Sequence, residues 1–440
     1  MRKISFNKRG IILFTLLFLL VAPFIQYNFK LVKVHALKGW IPEPINAKFS
    51  LKSWFSGEYQ QSKEQYLNDA FGFRPFFVKL NNQIAYTFFG KVKANGVVIG
   101  KENYLFEENY IKAYYGTDFV GRDSIAHRMQ RLKFIQDTLA KLNKSLVVVF
   151  AAGKGSFYPE YFPDEYKTTK GITNYQYHTA LAKQLGINHI DFNRYFLAHK
   201  HNSKYPLYPK YGIHWSYYGS CLAADSIVRF VEKIHHADLP NLFWNEVDMH
   251  SPKDTDYDIG DALNLFVKLP GPKLAYPSVQ VESDSGKVRP SLLVVSDSFY
   301  WGMYNFGVGR AFSNDHFWFY NKQVYPDSFQ SPIDASQLDI AAEIAKHDVI
   351  LIMATEATLP NLGWGFIENV YNHFKGIRMQ NGRSPEFIKR MNEYRSYIKN
   401  DAKWMEGIAQ RAETSGLSVD SLITIDAIWQ VEQEQQKAKK

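Results

Sequence analysis

Three short, uninterrupted apolar runs constrain this chain more than anything else in it: Leu146–Phe150, Leu292–Val295 and Val349–Met353. A strand with one wet face alternates polar and apolar residues, whereas a strand buried on both faces need not. Helical spacing lies between the runs. Ile125, Met129, Leu132, Ile135, Leu139 and Leu142 recur at helical intervals within residues 123–144. A second helix, predicted over 174–185, leads to a strand at 187–192. Ser216 can cap a third, running to about His235 with Leu222, Ile227, Phe230, Val231 and Ile234 on its buried side. A fourth is predicted from Ala335 to Lys346. Buried strands separated by amphipathic helices predict an α/β domain, a mostly parallel sheet with helices on both faces in three αβα layers.

The first thirty residues carry a different signal. Arg2, Lys3, Lys8 and Arg9 precede the uncharged apolar run Ile11–Ile25, which Tyr27 and Phe29 extend toward an interface. This pattern predicts a membrane anchor. A signal peptide shares it, but no small-x-small cleavage site follows closely; Val34-His35-Ala36 is far downstream. An uncleaved single-pass anchor is the expectation, with the main domain on the extracytoplasmic (periplasmic) side. Gly39, Pro42 and Pro44 mark a linker over 38–56, helical pattern broken at Arg74-Pro75 fills 56–89, and Val97-Val98-Ile99 with Tyr104-Leu105-Phe106 suggests a small hairpin. The expected organisation is an anchor over 1–30, a linker with accessory helices and hairpin over 31–116, the α/β domain over 117–415, and a polar tail that frays over 416–440.

Composition excludes several functions. The net charge is +9, yet basic residues are interspersed with acids, which argues for a solvated surface and against nucleic acid. The single Cys221 rules out an intrachain disulfide and any multi-cysteine metal site. His178, His189, His201 and His235-His236 lack the His-Glu-x-x-His spacing, and Asp254, Asp256 and Asp258 alternate like a calcium loop without its later glycine and glutamate, so no metal is expected. Gly153-Lys154-Gly155 lacks the spacing of a phosphate loop, and no cofactor is implied. Aromatic residues make up 16% of the chain, as core or as the lining of a sugar groove.

Chemistry concentrates where the Leu292–Val295 run ends, in Ser296-Asp297-Ser298-Phe299. Open α/β sheets bind ligands at the carboxyl edge, and a serine on a strand-to-helix turn can expose its hydroxyl for attack. Ser298 alone reads equally as a turn residue or cap. His214, in Gly212-Ile213-His214-Trp215-Ser216, is the candidate base. Standing just ahead of the helix that Ser216 opens, its ring is expected to be held neutral by the helix dipole.

These residues resemble a known family. Gly212-Ile213-His214-Trp215-Ser216, followed by Tyr218-Gly219, resembles the Asp-x-His-Trp segment of the alginate O-acetyltransferase AlgJ/AlgX-like proteins. Val295-Ser296-Asp297-Ser298-Phe299 resembles their serine block. Val98-Ile99-Gly100-Lys101 with Tyr104-Leu105-Phe106 looks like their N-terminal segment, and Lys154 with Tyr158-Pro159-Glu160 like the loop after their first sheet strand. The likeness spans roughly residues 50 to 375. It implies an SGNH-hydrolase-like domain, permuted so that histidine precedes serine, with Ser298 as nucleophile and His214 as base of an extracytoplasmic polysaccharide O-acetyltransferase. Asp297, Trp215 and Lys154 are supporting residues. By the same analogy, a polytopic membrane O-acyltransferase delivers the acetyl group.

The sequence departs from the family at one position: the aspartate two residues before the histidine is Gly212 here. Losing the orienting acid of a Ser-His-Asp site costs about 10⁴ in turnover. Either another carboxylate replaces it or the site is inactive. Glu356, just past the Val349–Met353 strand, is the first choice; Asp191, Asp258 and Asp261 are the others. Three functions stay open: O-acetyltransferase, esterase of the same fold, and a non-catalytic polysaccharide-binding or assembly protein.

Overall fold

The structure, a computed structural model, describes residues 8–39, 46–283, 286–376, 385–415 and 419–438. Arg2, Lys3, Pro42 and Pro44, named above, lie outside them. The chain divides into two compact units, Met1–Tyr371 and Asn372–Lys440.

In the first unit, six strands form one sheet: β1 (Ser145–Ala151), β2 (His189–Asp191), β3 (Leu292–Ser296), β4 (His316–Phe319), β5 (Gln323–Tyr325) and β6 (Val349–Thr355). Their order is β5-β4-β3-β6-β1-β2. All neighbours run parallel except the edge pair β4/β5. Every residue of β3 and β6 is buried, which explains why they read as continuous apolar runs. On one face Val147, Val149, Val294, Leu351 and Met353 pack with Ala223, Ala224, Ile227 and Val231 of the Tyr217–His235 helix. The Arg122–Lys141 helix lies against β1 and the Asn174–Leu185 helix. This is the αβα arrangement expected from the sequence.

The Asn174–Leu185 helix is bounded as predicted, by a capping box on Thr173 and a left-handed Gly186. Residues 335–346 differ: a 3₁₀ turn spans Ala335–Gln337, and the α-helix begins at Ile340, where Asp339 caps it. The sequence reading missed β4 and β5, aromatic strands without a long apolar run. It also missed two small antiparallel pairs, Leu242–Phe243 with Gln280–Val281 and Val247–His250 with Leu274–Pro277. The second pair brackets the excursion that carries Asp258.

The hairpin forms as expected, Val97–Ile99 against Leu105–Glu107, and the helical segment splits into Glu58–Ala70 and Arg74–Phe89, with proline in the first turn of the latter. The apolar helix Lys8–Phe29 spans 22 residues, about 33 Å at the α-helical rise, long enough to cross a bilayer core.

The second unit holds the helices Pro385–Asn400, Ala402–Ser415 and Val419–Ala438, around Ile398, Ile408, Leu422, Ile423 and Ala427. The sequence reading carried the α/β domain to 415 and left a fraying tail; instead Leu422, Ile423 and Ala427 give the last helix an apolar face to bury.

Candidate active site

Ser298 stands two residues past β3, at the carboxyl rim of the sheet. Asp297 holds that turn in place. Its Oδ2 accepts hydrogen bonds from the Thr355 amide at 2.8 Å, the Thr355 hydroxyl at 2.9 Å and the Thr358 hydroxyl at 2.7 Å, while Oδ1 accepts from the Phe299 amide. Buried Asp297 thus ties the end of β3 to the end of β6, and its side chain turns away from the Ser298 hydroxyl's partners.

His214 meets Ser298 across this rim: Nε2 is 2.8 Å from the Ser298 Oγ. Trp215 anchors the histidine loop by donating its indole N–H to Ala152 O at 3.0 Å and by packing edge-on against Phe299. Lys154, fully buried, donates to the carbonyls of Leu105, Lys210 and Gly212 at 2.7, 2.9 and 2.7 Å. Burial pushes its pKa down to about 7, with Asp258 and Glu107 pulling the other way. It therefore clamps the backbone two residues before His214.

Asp258, not Glu356, is the acid brought to the ring. Its Oδ2 lies 2.5 Å from His214 Nδ1, and its Oδ1 accepts from the amides of Ile213 at 2.9 Å and Ile259 at 2.7 Å. Those two amides aim the free oxygen at the imidazole. Glu356 is at the same rim, but it is buried and its Oε1 accepts from Asn193; burial raises its pKa to about 8. Asp191 takes both its contacts elsewhere, from the Tyr175 hydroxyl at 2.8 and 2.9 Å and from the Arg194 amide as a helix cap. Asp261 pairs with Lys38.

Gly212 could not carry the family's aspartate in this fold. A Cβ there would sit 2.5 Å from Thr255 O and 2.9 Å from the Asp256 carbonyl carbon, both backbone atoms. The segment that excludes a side chain at 212 is the one that supplies Asp258.

The His214 pKa shifts in the direction opposite to the one expected from the helix dipole. Burial favours the neutral ring, but the charge and hydrogen bond of Asp258, with Asp297 and Glu107 behind it, outweigh that and raise the pKa above 6.5. Three carboxylates nearby count for more than one helix terminus. The ring is therefore protonated to higher pH than a free imidazole, and the base form is lost as pH falls through the raised pKa. The log of kcat/KM against pH should show an acid limb with its midpoint above 6.5. A midpoint below that value would contradict the assignment of His214 as base.

Two residues at the site were not singled out in the sequence. Glu107 ends the hairpin; burial first, then Asp258, raises its pKa. Both acids line a cavity of about 570 Å³ shared with Lys38, Arg74 and Lys93. Tyr320, just after β4, has its phenol beside Ser298, close enough for Ser298 to influence its ionisation. Burial pushes its pKa to about 12, which keeps the phenol protonated. No local motif marks either residue.

Fold and site together define an SGNH hydrolase-like domain carrying a serine, a histidine and an aspartate in contact. Residues 97–286 match the family model described as SGNH hydrolase-like domain, acetyltransferase AlgX, and this bears out the AlgJ/AlgX resemblance read from the sequence. His214 and Asp258 fall inside the matched segment; Ser298 lies beyond it. Among solved structures the chain is similar to the O-acetyltransferase domain of Pseudomonas putida AlgJ, at 17% identity and TM-score 0.42, over 63% of this chain and 99% of that one. It is also similar to Pseudomonas aeruginosa AlgX, at 15% identity and TM-score 0.40, over 62% and 67%. Bacillus cereus PatB1 follows at 14% identity and TM-score 0.36, over 60% and 96%. No curated protein matches the sequence significantly.

Proposed function

We propose that this chain is a membrane-anchored, extracytoplasmic O-acetyltransferase that acts on a polysaccharide through an acetyl ester on Ser298. The observation that carries the reading is the unbroken line of contacts Asp258–His214–Ser298. The Ser298 hydroxyl gives its proton to His214 Nε2 as Oγ bonds to the acetyl carbon. The donor's leaving atom then departs, taking the proton from the imidazolium. In the second half an acceptor hydroxyl passes its proton to Nε2, bonds to the acetyl carbon, and displaces Ser298, which regains the proton. Asp258 holds the ring in the tautomer that accepts at Nε2 and balances its charge.

The acetyl group follows from the family match, and the polysaccharide acceptor and the polytopic donor partner from the resemblance. The Lys8–Phe29 helix would hold the domain at the membrane surface where such a donor delivers.

For the oxyanion, backbone amides around Ser298, at a helix start, are one candidate set of donors. Phe299 N–H, however, is engaged by Asp297, and Trp301 N–H by Ser298 O. Tyr320, a neutral phenol beside Ser298, is the donor we assign to that role. Tyr320→Phe should lower kcat by about 10²-fold with little change in KM. An unchanged kcat would remove Tyr320 from the chemistry.

The non-catalytic reading drew on Gly212 and on the many aromatics; Asp258 at Nδ1 weighs against the first of these. The esterase reading keeps one support, the partial exposure of Ser298, through which water could reach the ester. The test is intact-mass spectrometry of the protein quenched after p-nitrophenyl acetate, then with oligosaccharide added. One acetyl on wild type but none on Ser298→Ala, followed by acetylated oligosaccharide, supports transfer. Free acetate as the sole product supports the esterase, and equal labelling of both proteins sinks the serine mechanism.

A further inference from the structure

The opposite rim of the sheet holds a second cluster of polar side chains. His316 begins β4 and pairs in register with Leu293 near the start of β3, so it lies at the end of the sheet away from Ser298. Glu343, on the Ile340–Lys346 helix, stands four residues before His347, which immediately precedes Asp348 and β6. One donor atom from each of these three residues lies within 4.8 Å of the others.

The hydrogen bonding leaves these atoms unspent. His316 Nδ1 and Glu343 Oε2 are buried without a hydrogen-bond partner among the described residues, and they face each other at 3.7 Å. That is too long for a hydrogen bond. Two bonds of about 2.1 Å to a shared ion would span it at an angle of about 120°, within the range of a zinc site. His347 is buried, and its Nδ1 lies 2.7 Å from Glu343 O, so that N–H donates there and Nε2 keeps its lone pair. A backbone carbonyl fixing the far nitrogen is the usual second shell of a metal-bound histidine. Asp327 stands 3.7 Å from His316 Nε2, an ion-pair distance on the other nitrogen of that ring. Lys346 occupies only the other oxygen of Glu343, at 2.6 Å.

We propose that His316, Glu343 and His347 bind a divalent first-row transition metal, zinc being the best fit to two imidazoles and one carboxylate, with water completing the shell. The third ring closes in by about 1 Å to reach a tetrahedral arrangement. The ion would tie the start of β4 to the helix and loop that lead into β6, a structural role remote from Ser298. His316 is one quarter exposed and provides the way in. The sequence reading set metals aside on His178, His189, His201 and His235-His236 and on the Asp254–Asp258 run; the present set is assembled from two other segments that only the fold brings together.

The test uses the full chain in detergent, stripped with a chelator and dialysed. Zinc at about 100-fold over its Kd should raise the unfolding midpoint by about 3 °C or more, and cobalt should give the visible bands of a tetrahedral site. His316→Asn, at a partly exposed position, and Glu343→Gln should each lose both responses while unfolding near the stripped wild type. If Glu343→Gln does not fold, His316→Asn decides alone. Wild type without a zinc shift or cobalt bands, a response that survives His316→Asn, or an equal shift with magnesium would each overturn the assignment.

Discussion

Ser298→Ala is expected to reduce turnover of an activated acetyl ester by up to about 10⁶-fold, to a floor set by binding and the remaining polar groups. The magnitude follows from position. Ser298 Oγ is the hydroxyl in contact with His214 Nε2, and alanine leaves that nitrogen facing no nucleophile. The substitution should cost little stability. The Ser298 side chain is half-buried, and the turn around it is held by Asp297, Thr355 and Thr358. Initial rates on p-nitrophenyl acetate, with the unfolding midpoint as control, check both halves. A variant that folds like wild type and reacts at a tenth of its rate or faster would end the acyl-serine proposal.

Asp258→Asn should lower kcat by about 10⁴-fold, although the two side chains are nearly the same shape. The Ile213 and Ile259 amides would still grip one oxygen. The group turned toward His214 Nδ1 becomes an amide that cannot balance an imidazolium and can present the wrong hydrogen-bonding partner. The acid limb of the pH profile should also move down, because Asp258 provides the main influences raising the His214 pKa. Restoring the family's residue by Gly212→Asp should not rescue this variant. A Cβ at 212 would meet Thr255 O at 2.5 Å, so the backbone must shift and the protein should lose stability. Full activity in Asp258→Asn, or rescue by the added Gly212→Asp, would show that the acid sits elsewhere.

The supporting cast repays comparison with the sequence. Ser298 and His214 were legible because each lies in a motif: a serine after a buried strand, a histidine before a capped helix. The orienting acid was not. Glu356 was preferred for its place after β6, and that place is correct, but its carboxyl turns inward to Asn193. Position along a strand sets the rim; it does not set the rotamer. Asp258 rides on an excursion between two short strands that carry no strong periodicity, and it reaches His214 because the Gly260 amide bonds Tyr211 O and Ile213 N–H bonds its own carboxylate.

The sequence by itself determined the buried strands, most of the helices that cover them and the apolar helix at the start. These depend on interactions among residues a few positions apart, and such interactions leave periodic traces in composition. The tertiary structure alone decided which carboxylate meets His214, that Tyr320 stands beside Ser298, and that His316 faces Glu343. Each is a contact between segments far apart in the chain, whose meeting depends on the packing of everything between them.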